Sequence, residues 1–200
     1  MQKSVNGVDW ESWDGSAITL DNNKKLYVKN TRNTFSTGNT NKFAKFNLTG
    51  KIEASGDISS LKNFTTSLTS HEFYTLFANS GDALTNVENL ILPFDNVSRN
   101  AYVDMFSGCT AITKAPELPA TTLGEGCYAG MFYGCTSLNY IKIGYTGSLN
   151  GFTGESPFNF WVGGPDSSHK VPSTGEFYYN GTTIERGVSA IPYGWTVHTY

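Results

Sequence analysis

Three cysteines, Cys109, Cys127 and Cys135, and three histidines, His71, His169 and His198, are the first residues to weigh for chemistry. A cysteine nucleophile needs a base, normally histidine, brought beside it by the fold. A structural zinc site needs closely spaced Cys or His pairs. Neither pattern is written here: no two cysteines form a C-x-x-C pair, and an odd count makes no complete disulfide framework. What the cysteines do have is a repeat. "AYVDMFSGCTAI" (101–112) returns as "CYAGMFYGCTSL" (127–138), with Tyr, Met, Phe, Gly, Cys and Thr in the same places. Cys109 and Cys135 therefore hold one structural position, where a small, readily buried side chain fits. A Cys109–Cys135 disulfide stays open, because it depends on the redox compartment.

The carboxylates make no stronger case for an enzyme. Glu117 and Glu125 belong to the second repeat, but Ile91 and Arg99 stand at their counterparts in the first. "DWESWDG" and "LDNNKK" offer oxygen ligands without the alternation of an EF-hand loop. No catalytic residue, metal site or cofactor is expected. Sequons at Asn47, Asn63, Asn96 and Asn180 arise easily in an Asn- and Thr-rich chain and carry no assignment. The aromatics are the more serious candidates. Trp10, Trp13, Phe160, Trp161, Tyr178, Tyr179, Tyr193 and Trp195 gather toward the two ends. Flat rings flanked by amides and hydroxyls suit sugars, and Trp10 and Trp13 are candidate glycan-stacking residues. Trp161 and Trp195 are expected instead to cover the end of the repeat array, where a ring with one wet edge serves well.

The elements that must position these residues follow from the repeat. Met105-Phe106 maps on Met131-Phe132, Leu92-Pro93 on Leu118-Pro119, and Val97 on Leu123, all at an offset of 26 residues. An eroded earlier copy, "EFYTLFANSGDAL", lies 29 residues upstream of its equivalent and carries an insertion before Pro93. A period in the twenties falls in the range of leucine-rich repeats, one strand plus a short return per unit. "LTNVENLIL", "ITKAPELP" and "LNYIKI" are the expected short parallel strands. In "GEGCYAGMF" the four-residue spacings Cys127–Met131 and Tyr128–Phe132 predict one face of a helical turn.

These phrases have a family likeness. "MFSGCTAITKAPELPATTL", "CYAGMFYGCTSL" and the closing "IPYGWTV" resemble the BspA-like leucine-rich-repeat proteins of bacterial surfaces, whose modules also occur in phage-encoded proteins. The likeness runs from about Lys42 to the C-terminus. It implies a short α/β leucine-rich-repeat solenoid of about three repeats, strand-dominated, with short helical or 3₁₀ returns and β caps. The expected division is an N-terminal β lead-in over 1–41, the repeat array over 42–143 and a closing β-hairpin cap over 144–200, in one continuous domain. The implied role is non-enzymatic: adhesion to a host surface or matrix protein, with a phage tail-fibre or receptor-binding component of the same fold as one alternative; a glycan-binding module working through the end aromatics is the other. The chain departs from the family in its few repeats and in Ala115 and Pro116, which break the strand phrase.

A solenoid's usual recognition surface is its strand face. The outward positions there are Asn86 and Glu88 in the first strand, Thr113 and Lys114 in the second, and Asn139, Tyr140 and Lys142 in the last, with Tyr140 as anchor. Charged residues make up only 16% of the chain and the net charge is −3, so nothing favours nucleic acid. No apolar run approaches the roughly 18 residues of a membrane span, so no membrane insertion is expected. "MQKSVNGVDWESWDG" has no signal-peptide core, so the chain is expected to be either unsecreted or a mature fragment of something larger; the family likeness implies a cell surface, as part of a larger chain, or a virion.

Overall fold

The computed structural model describes residues 1–21, 24–33, 35, 44–150, 155–165 and 169–200. Three short strands open the chain: β1 (Gln2–Ser4), β2 (Glu11–Ser12) and β3 (Tyr27–Lys29). They form an antiparallel sheet in the order β2-β1-β3. Within the expected β lead-in, "AITL" (17–20) has no strand pairing. Next come β4 (Ile52–Glu53) and β5 (Gly56–Asp57). Asp57 then caps a 3₁₀ turn, Ile58–Lys62, by accepting a hydrogen bond from the Ser59 amide at 2.8 Å.

The remaining strands all pair in parallel. β6 (Leu84–Asn86) lies beside β4, β7 (Leu90–Ile91) beside β5, and β8 (Asn96–Val97) beside β9 (Thr122–Leu123). The last sheet runs β10 (Tyr140–Lys142), β11 (Glu176–Tyr178), β12 (Thr196–His198). Between β6 and β10, "ITKAPELP" contributes only isolated bridges, Lys114 with Tyr140 and Leu118 with Ile143. The proline at 116 and the short apolar spacing there leave too little extended backbone for a ladder.

This architecture corrects the expected α/β leucine-rich-repeat solenoid. Among the described residues there is no α-helix and a single 3₁₀ turn. The sheets are separate two- and three-stranded units, antiparallel at the N-terminus and parallel beyond, rather than one continuous strand face. The closing segments are corrected too. "EFYYN" and "TVHTY" pair in parallel, Phe177 against Val197, not as a hairpin. Alternation along a strand says which side chains face in, but not which way a neighbour runs.

The repeated phrases nevertheless stack. Tyr102, Asp104, Phe106 and Gly108 donate their amides to the carbonyls of Cys127, Ala129, Met131 and Tyr133 at 2.7–3.0 Å. The amides between them, such as Val103 and Met105, turn back to carbonyls three residues earlier within their own copy. Every fourth residue is left-handed: Asn100, Asp104 and Gly108 in one copy, Gly126, Gly130 and Gly134 in the next. A left-handed residue at each fourth position cannot propagate an α-helix. The four-residue spacing read as a helical face is therefore the period of these linked turns.

Stacking buries the repeated rings in two columns. Phe77, Phe106 and Phe132 lie face to face with centroids 5.7–5.8 Å apart and planes within 2–3°. Phe73, Tyr102 and Tyr128 form the second column at 5.8 Å, tilted by no more than 10°. All are buried, and burial of such a side chain contributes about 1.5–3 kcal/mol. The columns extend past the recognisable copies, to Phe46 at one end and to Phe158 and Trp161 at the other. The amides of Tyr128, Gly130 and Phe132 reach Pro157, Asn159 and Trp161, so "ESPFNFWVGG" is a further copy without the shared letters. At the other end a buried Lys62–Glu72 ion pair (3.4 Å) sits beneath the stack. Glu72 also accepts from the amides of Phe35 and Thr69, tying the preceding segment to the first copy.

Candidate functional site

The cysteines are rungs of the stack. Each S–H reaches a carbonyl of the preceding copy, Cys109 to Phe77 at 3.2 Å and Cys135 to Phe106 at 3.1 Å. All three cysteines are buried and free. Burial pushes the Cys109 thiol up to about 11 and drives Cys127 and Cys135 further up. That is opposite to what a nucleophile requires. The imidazoles are engaged elsewhere: His71 with Ser70 and Asn100, His169 with Tyr133, and His198 with Glu176. Among the described residues no group of three or more His, Cys, Asp or Glu is placed to hold a metal ion. None of their helices is long and apolar enough to cross a membrane.

The strand side of the molecule gathers most of the predicted binding residues into one charged and aromatic surface. Lys114 bonds Glu88 at 2.9 Å and places its ammonium 5.6 Å from the centre of the Tyr140 ring. Lys142 pairs with Glu117 and sits 4.6 Å over Tyr200. Both lysines are held above their ordinary range chiefly by these carboxylate hydrogen bonds. Tyr140 packs against Tyr178 (5.0 Å), which stacks on His198 (4.8 Å) and approaches Tyr200 (6.5 Å). Desolvation raises the Tyr140 hydroxyl, with Tyr178 adding to the effect. Parallel register builds this surface, setting Lys142 beside Tyr178 and Tyr178 beside His198.

Not every predicted residue joins it. Asn86 is half-buried, and its side-chain oxygen accepts from the Glu88 amide at 2.9 Å, closing the local turn. Thr113 and Asn139 are exposed, but it is their carbonyls that serve, taking the amides of Asn139 and Glu176. Glu176, His198 and Tyr200 are missing from the strand-face set read from the sequence, and Tyr178 stands there only among the terminal aromatics, because a hairpin would turn their strands away from Lys142. The alternation in "EFYYN" and "TVHTY" was their only signal.

The two terminal tryptophan pairs behave differently. Trp161 and Trp195 are fully buried and donate their indole N–H groups to Ala190 and Pro172 carbonyls, both at 2.8 Å. They are end cover. Trp10 is half-buried, and one ring face carries the Lys29 ammonium at 3.9 Å. Trp13 donates to the Ser16 carbonyl at 2.9 Å and lines an N-terminal cleft of about 530 Å³ with Lys3, Glu11 and Asp14. Trp10 does not line that cleft, so the two candidate sugar platforms are not one site.

Compared with family models, curated proteins and solved structures, the chain matches none.

Proposed function

We propose that the chain is a non-enzymatic binding module, an adhesion domain whose contact surface is the strand side around Tyr140. The observation that carries this reading is the clustering of Tyr140, Tyr178, His198 and Tyr200 with Lys114 and Lys142 on an accessible face. Tyrosine anchors among mixed charges are what protein contact surfaces favour. The ring faces pack on one another and beneath lysines, and the Tyr200 hydroxyl donates to the Ile143 carbonyl at 2.9 Å. That arrangement suits a protein partner better than the flat face of a sugar. The likeness of the repeated phrases to BspA-like surface proteins supports the same reading, with a host surface or matrix protein as partner. Binding to a panel of immobilised extracellular-matrix proteins, with a Tyr140→Ala/Lys142→Ala variant alongside, tests it. Loss of signal in the variant is expected; equal binding by the variant, or no binding by the parent, would overturn it.

A second reading rests on the N-terminal cleft beside Trp13, whose size and polar rim suit a small glycan. A glycan array run with Trp13→Ala separates this site from the strand face. No signal from the parent protein would end it.

A further inference from the structure

We propose that a groove on the turn side of the stack, centred on Asp104, binds a cationic side chain, a lysine or arginine presented by a partner protein. The groove holds about 420 Å³ and crosses successive copies, with Thr75, Asp104, Ser107, Gly130, Tyr133 and Phe160 among its lining. None of the residues of the strand surface lines this groove, so the inference stands apart from the proposed adhesion face.

The site arises from one column of the fold. Thr75, Asp104, Gly130 and Phe160 hold the same place in successive copies, all left-handed, with φ of 55, 53, 61 and 50°. The third member decides what the column can do. A Cβ at Gly130 would lie 2.0 Å from Asp104 Oδ1, so only glycine leaves the carboxylate its room and the groove its floor. Among the described residues no cation pairs with the Asp104 carboxylate and no hydrogen-bond donor reaches it. Burial alone holds this carboxyl above the ordinary range. An unpaired, partly desolvated carboxylate is a costly feature that a bound cation would relieve.

The surroundings select the kind of cation. A divalent metal needs several oxygen ligands, and the lining named here supplies one carboxylate. An ammonium or guanidinium needs one carboxylate, a hydroxyl such as Ser107 and aromatic surface for its stem and charge. Tyr133 and Phe160 provide the last, and the Tyr133 ring is steadied by stacking on His169 at 4.9 Å. The volume accommodates the side chain with its flanking backbone.

Nuclear magnetic resonance titration of the full chain with Nα-acetyl-lysine methylamide, and with the neutral Nα-acetyl-norleucine methylamide, tests the site. Saturable shifts at the amides of Asp104, Gly130 and Tyr133 are expected with the lysine probe alone. Asp104→Asn should bind at least about ten-fold more weakly while the rest of its spectrum stays in place. Phe160→Ala, which changes a side chain on the groove rim, should also weaken binding and serves if the Asp104 variant fails to fold. The Tyr140→Ala/Lys142→Ala variant should bind the lysine probe normally, so failure of the strand-face reading would not be mistaken for failure here. Equal shifts from norleucine, no saturable shift, or undiminished binding by both groove variants would overturn the proposal.

Discussion

The stack of repeated phrases and the antiparallel sheet at the N-terminus solve opposite problems. In the stack, Tyr102, Met105, Phe106 and Cys109 are fully buried, and Tyr128 and Phe132 one copy on stack directly against Tyr102 and Phe106. In β1 to β3 only Ser4 is buried, Glu11 and Ser12 are exposed, and the sheet is held by a few ladder bonds and contacts such as Lys29 on Trp10. Repetition thus tells what the interior must be, because each copy is the packing partner of the next. Residues the copies do not share, such as Tyr140, Lys142 and Asp104, lie outside that constraint.

That contrast is open to breakage at several points. The largest effect is expected from Phe106→Ala, which removes the middle ring of a column and leaves a cavity; about 3–5 kcal/mol of stability should be lost, measured by denaturant unfolding. Gly130→Ala comes next, at about 1–3 kcal/mol, since it combines a left-handed backbone with a Cβ pressed on Asp104.

The buried thiols give a pH-dependent test. A folded-state value raised above the ordinary 9.0 means the Cys109 contribution is intact below pH 9 and lost as pH climbs toward about 11. Unfolding midpoints should therefore fall across that window, less steeply in Cys109→Ala. Iodoacetamide should label the native protein far more slowly than the urea-unfolded chain. The smallest effect belongs to the N-terminal sheet: Trp13→Ala should cost no more than about 1 kcal/mol, because its ring is only half-buried.

Much of the stack was legible in the letters. The 26-residue offset places Val97 on Leu123, and β8 and β9 pair those residues in register. The packing role of Cys109 and Cys135 likewise came from their repetition alone. Three things were not legible, each for a physical reason. A four-residue spacing is shared by helices and by linked turns with a left-handed residue at each fourth place, and Asn100 and Asp104 adopt that conformation without being glycine. Strand direction leaves no mark on alternation, so the parallel β11–β12 pair read as a hairpin, which hid His198 and Tyr200 and the place of Tyr178 beside Lys142. Phe158 and Trp161 continue the ring columns with different letters, since packing asks for a large apolar ring and not a particular one.

Residue-resolved hydrogen exchange in the native protein tests most directly whether the repeats form one cooperative spine with the unshared elements outside it. The amides of Tyr102, Phe106, Tyr128 and Phe132, each donated to the next copy, should exchange only with global unfolding. Those of β1 and β3 should exchange at least about 100-fold faster through local opening. Equal protection of the two regions, or separate opening of each copy, would contradict the account.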